Sequence, residues 1–239
     1  MTIKEINNLS DLLKEEWENE NFTQYYGQIE QVVSSKVKFP SLEKLAASIH
    51  SWLPEDAVQS VVETVIKMDQ IGSYPFCGKF IQLEMSKDLL SAFRLAAWSI
   101  HTGNVWYACD TISERVYGVG LLEYWDIAFP LVKQLSKSKN HWDRRGVGVA
   151  THLAVKWGLE KEKAEKLLDL ALERKNATHH EEKTGIGWGM KTIGKFYPEI
   201  YQDRSLEKGQ GLPAWMASKV KKGMALSQIH KAKLSQKKG

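Results

Sequence analysis

Trp106 and Asp110 stand four residues apart in VWYACDTISERVYGVG, a spacing that stacks an indole and a carboxylate on one helix face. A carboxylate beside an aromatic wall can stabilise a cation that develops next to it. The apolar stripe of the segment is Val105, Cys109, Ile112, Val116 and Val119, which recur at the helical period and face a core. Trp106, Asp110, Ser113 and Tyr117 form a second stripe, rotated by about 100°. In GIGWGMKTIGKFY the core stripe is Ile186, Met190, Ile193 and Tyr197. Trp188 lies about 200° from Ile186, with Lys191 and Lys195 nearby in sequence. Large aromatics aimed away from a core need another surface to meet. One keeps an acid beside it and the other keeps bases, which suits a ligand carrying both signs of charge.

His141-Trp142-Asp143-Arg144-Arg145 opens another helix. Adjacent arginines point in different directions, so at most one faces the Trp106–Asp110 stripe. A phosphate contact with a carboxylate ion pair is one reading, and a solvated charge pair is the other. Gly185, Gly187 and Gly189 bracket Trp188 without a preceding strand, which argues against a nucleotide-binding loop. Inside a helix each costs about 1 kcal/mol relative to Ala. Close approach of another backbone, protein or nucleic acid, would offset that cost. No HExxH, Cys/His ligand set or Ser-His-Asp pattern stands out, so no metal or cofactor is expected.

The elements that must carry these residues read as helices throughout. Expected starts are Asn8–Asp11, Phe22, Ser41 after Pro40, Pro54–Asp56 and Ser86–Asp88. Further helices are expected over 105–119, 123–136, 142–157, 160–175, 179–197 and 213–230, with Thr178 and Glu181 as a capping box. Alternating strand patterns are absent. HTGNVWYACDTI, KSKNHWDRRGVG and HHEEKTGIGWGM repeat a polar connector, a Trp and a helix, with Trp106, Trp142 and Trp188 spaced by 36 and 46 residues. That period predicts an all-α solenoid of HEAT or armadillo type with a concave binding face. Residues 1–204 would form it, and 205–239 would be a basic tail ordered on binding.

The 239 residues carry a net charge of +4. Its distribution says more than its size. Residues 1–30 hold two lysines and seven acids, whereas 209–239 hold seven lysines and no acid. Such asymmetry favours an anionic partner. Cys77 and Cys109 read as buried reduced thiols of a cytoplasmic protein. The acidic, amphipathic N-terminus is unlike a signal peptide, and no apolar run approaches 18 residues.

VWYACDTIS, HWDRRGVGVA and KTGIGWGMKTIGKFYPE, in that order and spacing, resemble the AlkD-type DNA alkylation repair glycosylases, which are HEAT-like solenoids. VKFPSLEKLAASI is similar to the start of the family's first motif, but Glu43 stands where an Arg is usual. The resemblance implies hydrolysis of the N-glycosidic bond of cationic N3- or N7-alkylated purines in duplex DNA, without extruding the base into a pocket. It carries catalytic roles to Trp106, Asp110, Arg145 and Trp188. DNA contacts fall to Tyr107, Arg144, Lys191 and Lys195. A monomer without cofactor, metal or membrane attachment is implied. Two rival readings are a non-catalytic relative that binds distorted or branched DNA, and a HEAT-type scaffold whose tryptophans bind protein.

Overall fold

Thr2 starts the chain's first helix, six residues before the expected Asn8. Its hydroxyl accepts from the Glu5 amide, and the Glu5 carboxylate accepts from the Thr2 amide at 2.7 Å. Ser10, expected near a helix start, is instead a buried polar group that accepts from Trp52 Nε1 at 3.0 Å and from the Ser48 hydroxyl at 2.8 Å. The computed structural model describes the backbone of residues 1–236 and the side chains of residues 1–228. Every helix and turn of helix in it lies within those bounds, and among the described residues there is no strand. Two compact units divide the chain, Met1–Val116 and Tyr117–Gly239.

The first unit contains α1 (Ile3–Glu18), α2 (Phe22–Ser34), α3 (Phe39–His50), α4 (Val58–Lys67), α5 (Ser73–Glu84), α6 (Leu89–Gly103) and α7 (Trp106–Ser113). Helix α5 is its centre, packed on α3, α4, α6 and α7. Tyr74, Phe76, Cys77, Phe80 and Ile81 are all fully buried. A helix covered on all sides shows no single apolar stripe, so α5 carries no clear helical period in its residues. Gly72 ends the approach of α2 to α5: its amide donates to the Val33 carbonyl at 3.1 Å, and a Cβ there would overlap that carbonyl. A short 3₁₀ turn, Glu55–Ala57, follows Pro54 and leads into α4.

After a π-helical turn, Glu114–Gly118, the chain continues with α8 (Val119–Glu123), α9 (Trp125–Leu135), α10 (His141–Lys156), α11 (Lys161–Glu173), α12 (His180–Phe196), α13 (Pro198–Asp203) and α14 (Ala214–Gln236). Helix α12 packs extensively against both α10 and α14. Glycines make this possible. A Cβ on Gly148 of α10 would overlap the Gly185 carbonyl, and one on Gly185 would overlap the Arg145 carbonyl. The backbone that the Trp188 glycines admit is therefore that of α10. Gly187 faces the Lys219 side chain, and Gly194 meets Gly223, both on α14.

The segment expected as a tail, 205–239, thus carries α14, a helix packed on the body of the second unit, with Met216 and Val220 fully buried. The side chains of Lys231 and Lys233, and residues Lys237 and Lys238, lie outside the described residues. His179, not Thr178, caps α12: its Nδ1 accepts from the Glu181 amide at 3.3 Å. Cys77 and Cys109 are both buried thiols, with no disulfide between them. No helix among the described residues is long and apolar enough to cross a membrane.

Candidate active site

Helix α7 begins abruptly. Asn104 takes the left-handed conformation (φ 47°) that ends α6, and Val105 is extended ahead of Trp106. Trp106 is consequently the first residue of α7 and is 55% exposed. Tyr107 meets it edge-on at 5.6 Å and meets Tyr74 edge-on at 5.5 Å. Tyr74 is fully buried and its hydroxyl donates to Asp69 at 2.8 Å. A chain of rings anchored in the core therefore supports an indole that projects from it. Asp110 lies one turn further along α7 and is half-buried.

Cys109, Ile112 and Val116 are fully buried, as their period requires. Ser113 and Tyr117 are fully buried as well, so the second stripe of α7 is open only at its Trp106–Asp110 end. The π-helical turn begins directly after α7. Arg115 within it donates from Nη1 to the Thr111 carbonyl at 2.9 Å and from Nε to Glu43 at 3.0 Å. Its side chain passes over Gly78, where a Cβ would crowd it. Glu43 therefore ties α3 to the π-helical turn that follows α7, through Arg115.

In the second unit, Asn140 caps α10 by accepting from the Trp142 amide at 2.9 Å. Trp142 is buried. Arg144 and Arg145 both reach the first turn of α12. Arg144 Nε donates to Glu182 at 2.7 Å, and its Nη1 donates to the Ser138 carbonyl at 2.6 Å. Arg145, 4% exposed, donates from Nη1 to Glu181 at 2.6 Å. Arg174 donates to the second oxygen of Glu182 at 2.7 Å. Glu181 was expected only as the partner of Thr178 in a capping box and Glu182 not at all, although their place in the first helical turn suits acids.

Trp188 is half-exposed and stacks on His152, with ring centroids 4.0 Å apart and planes inclined by 22°. Together with Lys156, Lys191, Lys195 and Phe196 these two rings line a cleft of about 220 Å³. Burial, reinforced by the charges of Lys156, Lys191 and Lys195, pushes the His152 pKa down to about 4. Burial also lowers that of Lys219, helped by Lys222 and Lys191. Lysines from α10, α12 and α14 thus share one field, and an anion that entered it would relieve their repulsion. His152 lies two turns beyond Arg145 on α10, a spacing that would have found it.

Among the described residues no group of three or more His, Cys, Asp or Glu side chains is arranged to hold a metal. A family model described as DNA alkylation repair enzyme matches residues 7–219. No curated protein and no solved structure matches the chain.

Proposed function

The chain belongs to the DNA alkylation repair enzyme family, and we propose that within it this protein is a DNA glycosylase for cationic N3- and N7-alkylated purines in duplex DNA. The observation that carries the proposal is Trp106, projecting at the start of α7 one turn from Asp110 and braced from behind by Tyr107 and Tyr74. An alkylated purine needs little help to leave. When the C1′–N bond breaks, its electron pair passes to the purine and neutralises the ring. The difficulty is the oxocarbenium-like sugar left behind.

Asp110 would oppose that charge and hold the water that adds to C1′, accepting its proton. Trp106 and Trp188 would pack their π faces on deoxyribose and backbone beside the lesion. Tyr107 serves as the support of Trp106. The resemblance gives Arg145 a part in this reaction, holding a phosphate or orienting Asp110; it is buried on α10 and bonded to Glu181, whereas Arg144 is engaged by Glu182 and Ser138 and is assigned to fixing α12. Lys191 and Lys195 would hold phosphates. Because an aromatic wall and a carboxylate suffice for this step, the base need not be drawn into a pocket, unlike the usual arrangement for base chemistry.

Release of purines from methylated duplex DNA tests the reading, with wild type beside Asp110→Asn. Wild type is expected to release methylated purines. The variant should release none while keeping its affinity for DNA. Equal release by both would overturn the role of Asp110. Absence of release by either, with salt-sensitive DNA binding intact, would favour a non-catalytic DNA-binding protein instead.

A further inference from the structure

Trp188 owes its orientation to a ring beneath it. The indole and the His152 imidazole lie nearly parallel at 4.0 Å, and both line the lysine-rich cleft. Thr192 fixes the imidazole in turn. Its hydroxyl donates to the Trp188 carbonyl one turn back at 3.0 Å. A hydroxyl has one proton to give, so at its 2.7 Å contact with His152 it must accept from Nδ1–H. The hydrogen bonds therefore select one neutral tautomer and leave Nε2 as the atom that would take a second proton. The charged groups facing the ring all oppose that second proton: Lys156 from α10, and Lys191 and Lys195 from α12. Helix α14 brings Leu226 to the cleft.

We infer that His152 is a positioning residue for Trp188, a flat, uncharged platform that holds the indole rigid where a sugar–phosphate strand meets the cleft. An aliphatic residue could fill the same space, but it would neither set the plane of the indole nor satisfy Thr192. A cationic platform would add to the repulsion among the three lysines. A rigid indole loses little freedom when a strand packs on it, so its contact energy is retained as affinity. The inference rests on the proposed DNA-binding role only for the identity of the strand.

Three variants, His152→Ala, His152→Phe and His152→Gln, separate support from simple filling. Each is measured for urea stability, for affinity toward a duplex carrying an abasic-site analogue, and for base release resolved into kcat and KM. His152→Ala is expected to bind about three- to tenfold more weakly, the worth of one aromatic stack. His152→Phe, which keeps a flat ring, should recover most of that affinity. His152→Gln, which keeps only a partner for Thr192, should not. In histidine ring NMR spectra, the His152 protons should lie upfield of their usual position because of the indole ring current, and return downfield in Trp188→Leu.

Equal weakening by Ala and Phe would overturn the inference. So would wild-type affinity in a folded His152→Ala protein, or absence of the upfield shift. If wild type releases no purine while affinity still follows the His152 series, the glycosylase reading fails and the platform stands. If purines are released and the series has no effect on affinity or turnover, the reverse holds.

Discussion

Glu182 is the side chain on which the second unit's site most depends. It is 2% exposed, and its two oxygens accept from Arg144 and Arg174. Removing it leaves the largely buried Arg144 and the partly exposed Arg174 without their shared counter-ion. Glu182→Ala is expected to cost about 3 kcal/mol or more of stability, measured by urea unfolding. Because Arg144 sits next to Arg145, base release should fall as well, even though Glu182 lies outside the proposed chemistry. Double substitution of Glu182 and Arg144 should cost less than the sum of the single losses.

His152 makes a second prediction at this scale. Its pKa in the folded protein is about 4, against an ordinary 6.5. Between those values the unfolded chain binds the proton more readily, so stability falls as pH drops from about 6.5 to about 4 and loses nothing more to this group below that. Unfolding at pH 7 and pH 5 should show a larger drop for wild type than for His152→Phe. An identical drop would remove His152 from the acid sensitivity of the fold. The residues with the clearest signals in the sequence were those whose type and period disagreed, Trp106 and Trp188. His152 carried only a weaker signal, its seven-residue spacing from Arg145 on α10, and the indole that α12 brings to it is what gives that spacing a meaning.

Helix packing is where glycine decides the structure. Gly148 lies against the backbone of Gly185 and Ile186, where nothing can move aside for a methyl group. Gly148→Ala must therefore separate α10 from α12, with a cost of about 3 kcal/mol or more. Gly27, exposed within α2, has nothing within 4 Å of where its Cβ would stand. Gly27→Ala should stabilise the protein by about 1 kcal/mol through helix propensity alone. Denaturant midpoints of the two variants, moving in opposite directions from wild type, would check both. A neutral Gly148→Ala would mean that the helices can part without loss.

The glycines around Trp188 were legible as a close approach, since three helix-breaking residues in five positions require compensation. The partner was not legible, because α10 and α12 are separated in the chain by α11. Helix α5 shows the other kind of loss. Periodicity reports a contrast between two faces, and a helix buried all round has no contrast to report. The start of α1 was missed for a local reason: Thr2 and Glu5 form a capping box at the extreme end of the chain, ahead of the Asn-Leu-Ser-Asp run that offered a competing start.

The charge asymmetry of the whole chain acquires a location in the fold. The basic C-terminal segment is not simply an appendage, because its described part packs as α14 on α12 and buries Met216 and Val220. The family match reaches residue 219, well into that helix. Deleting 209–239 would uncover Gly187 and Gly194 and unfold part of the second unit, so truncation cannot isolate an electrostatic contribution. Single charge removal can. Lys222 is exposed on α14 and belongs to the same field as Lys219 and Lys191.

Each phosphate contact adds about one to the slope of log affinity against log salt. Lys222→Gln is therefore expected to lower that slope by about one. It should weaken binding to alkylated and intact duplexes by the same factor, because a phosphate contact carries no information about the lesion. Titrations of both duplexes between roughly 50 and 200 mM salt measure the two quantities together. An unchanged slope would remove Lys222 from the DNA contact. A loss confined to alkylated duplex would place it beside the lesion instead, and would add α14 to the lesion contacts proposed for α12.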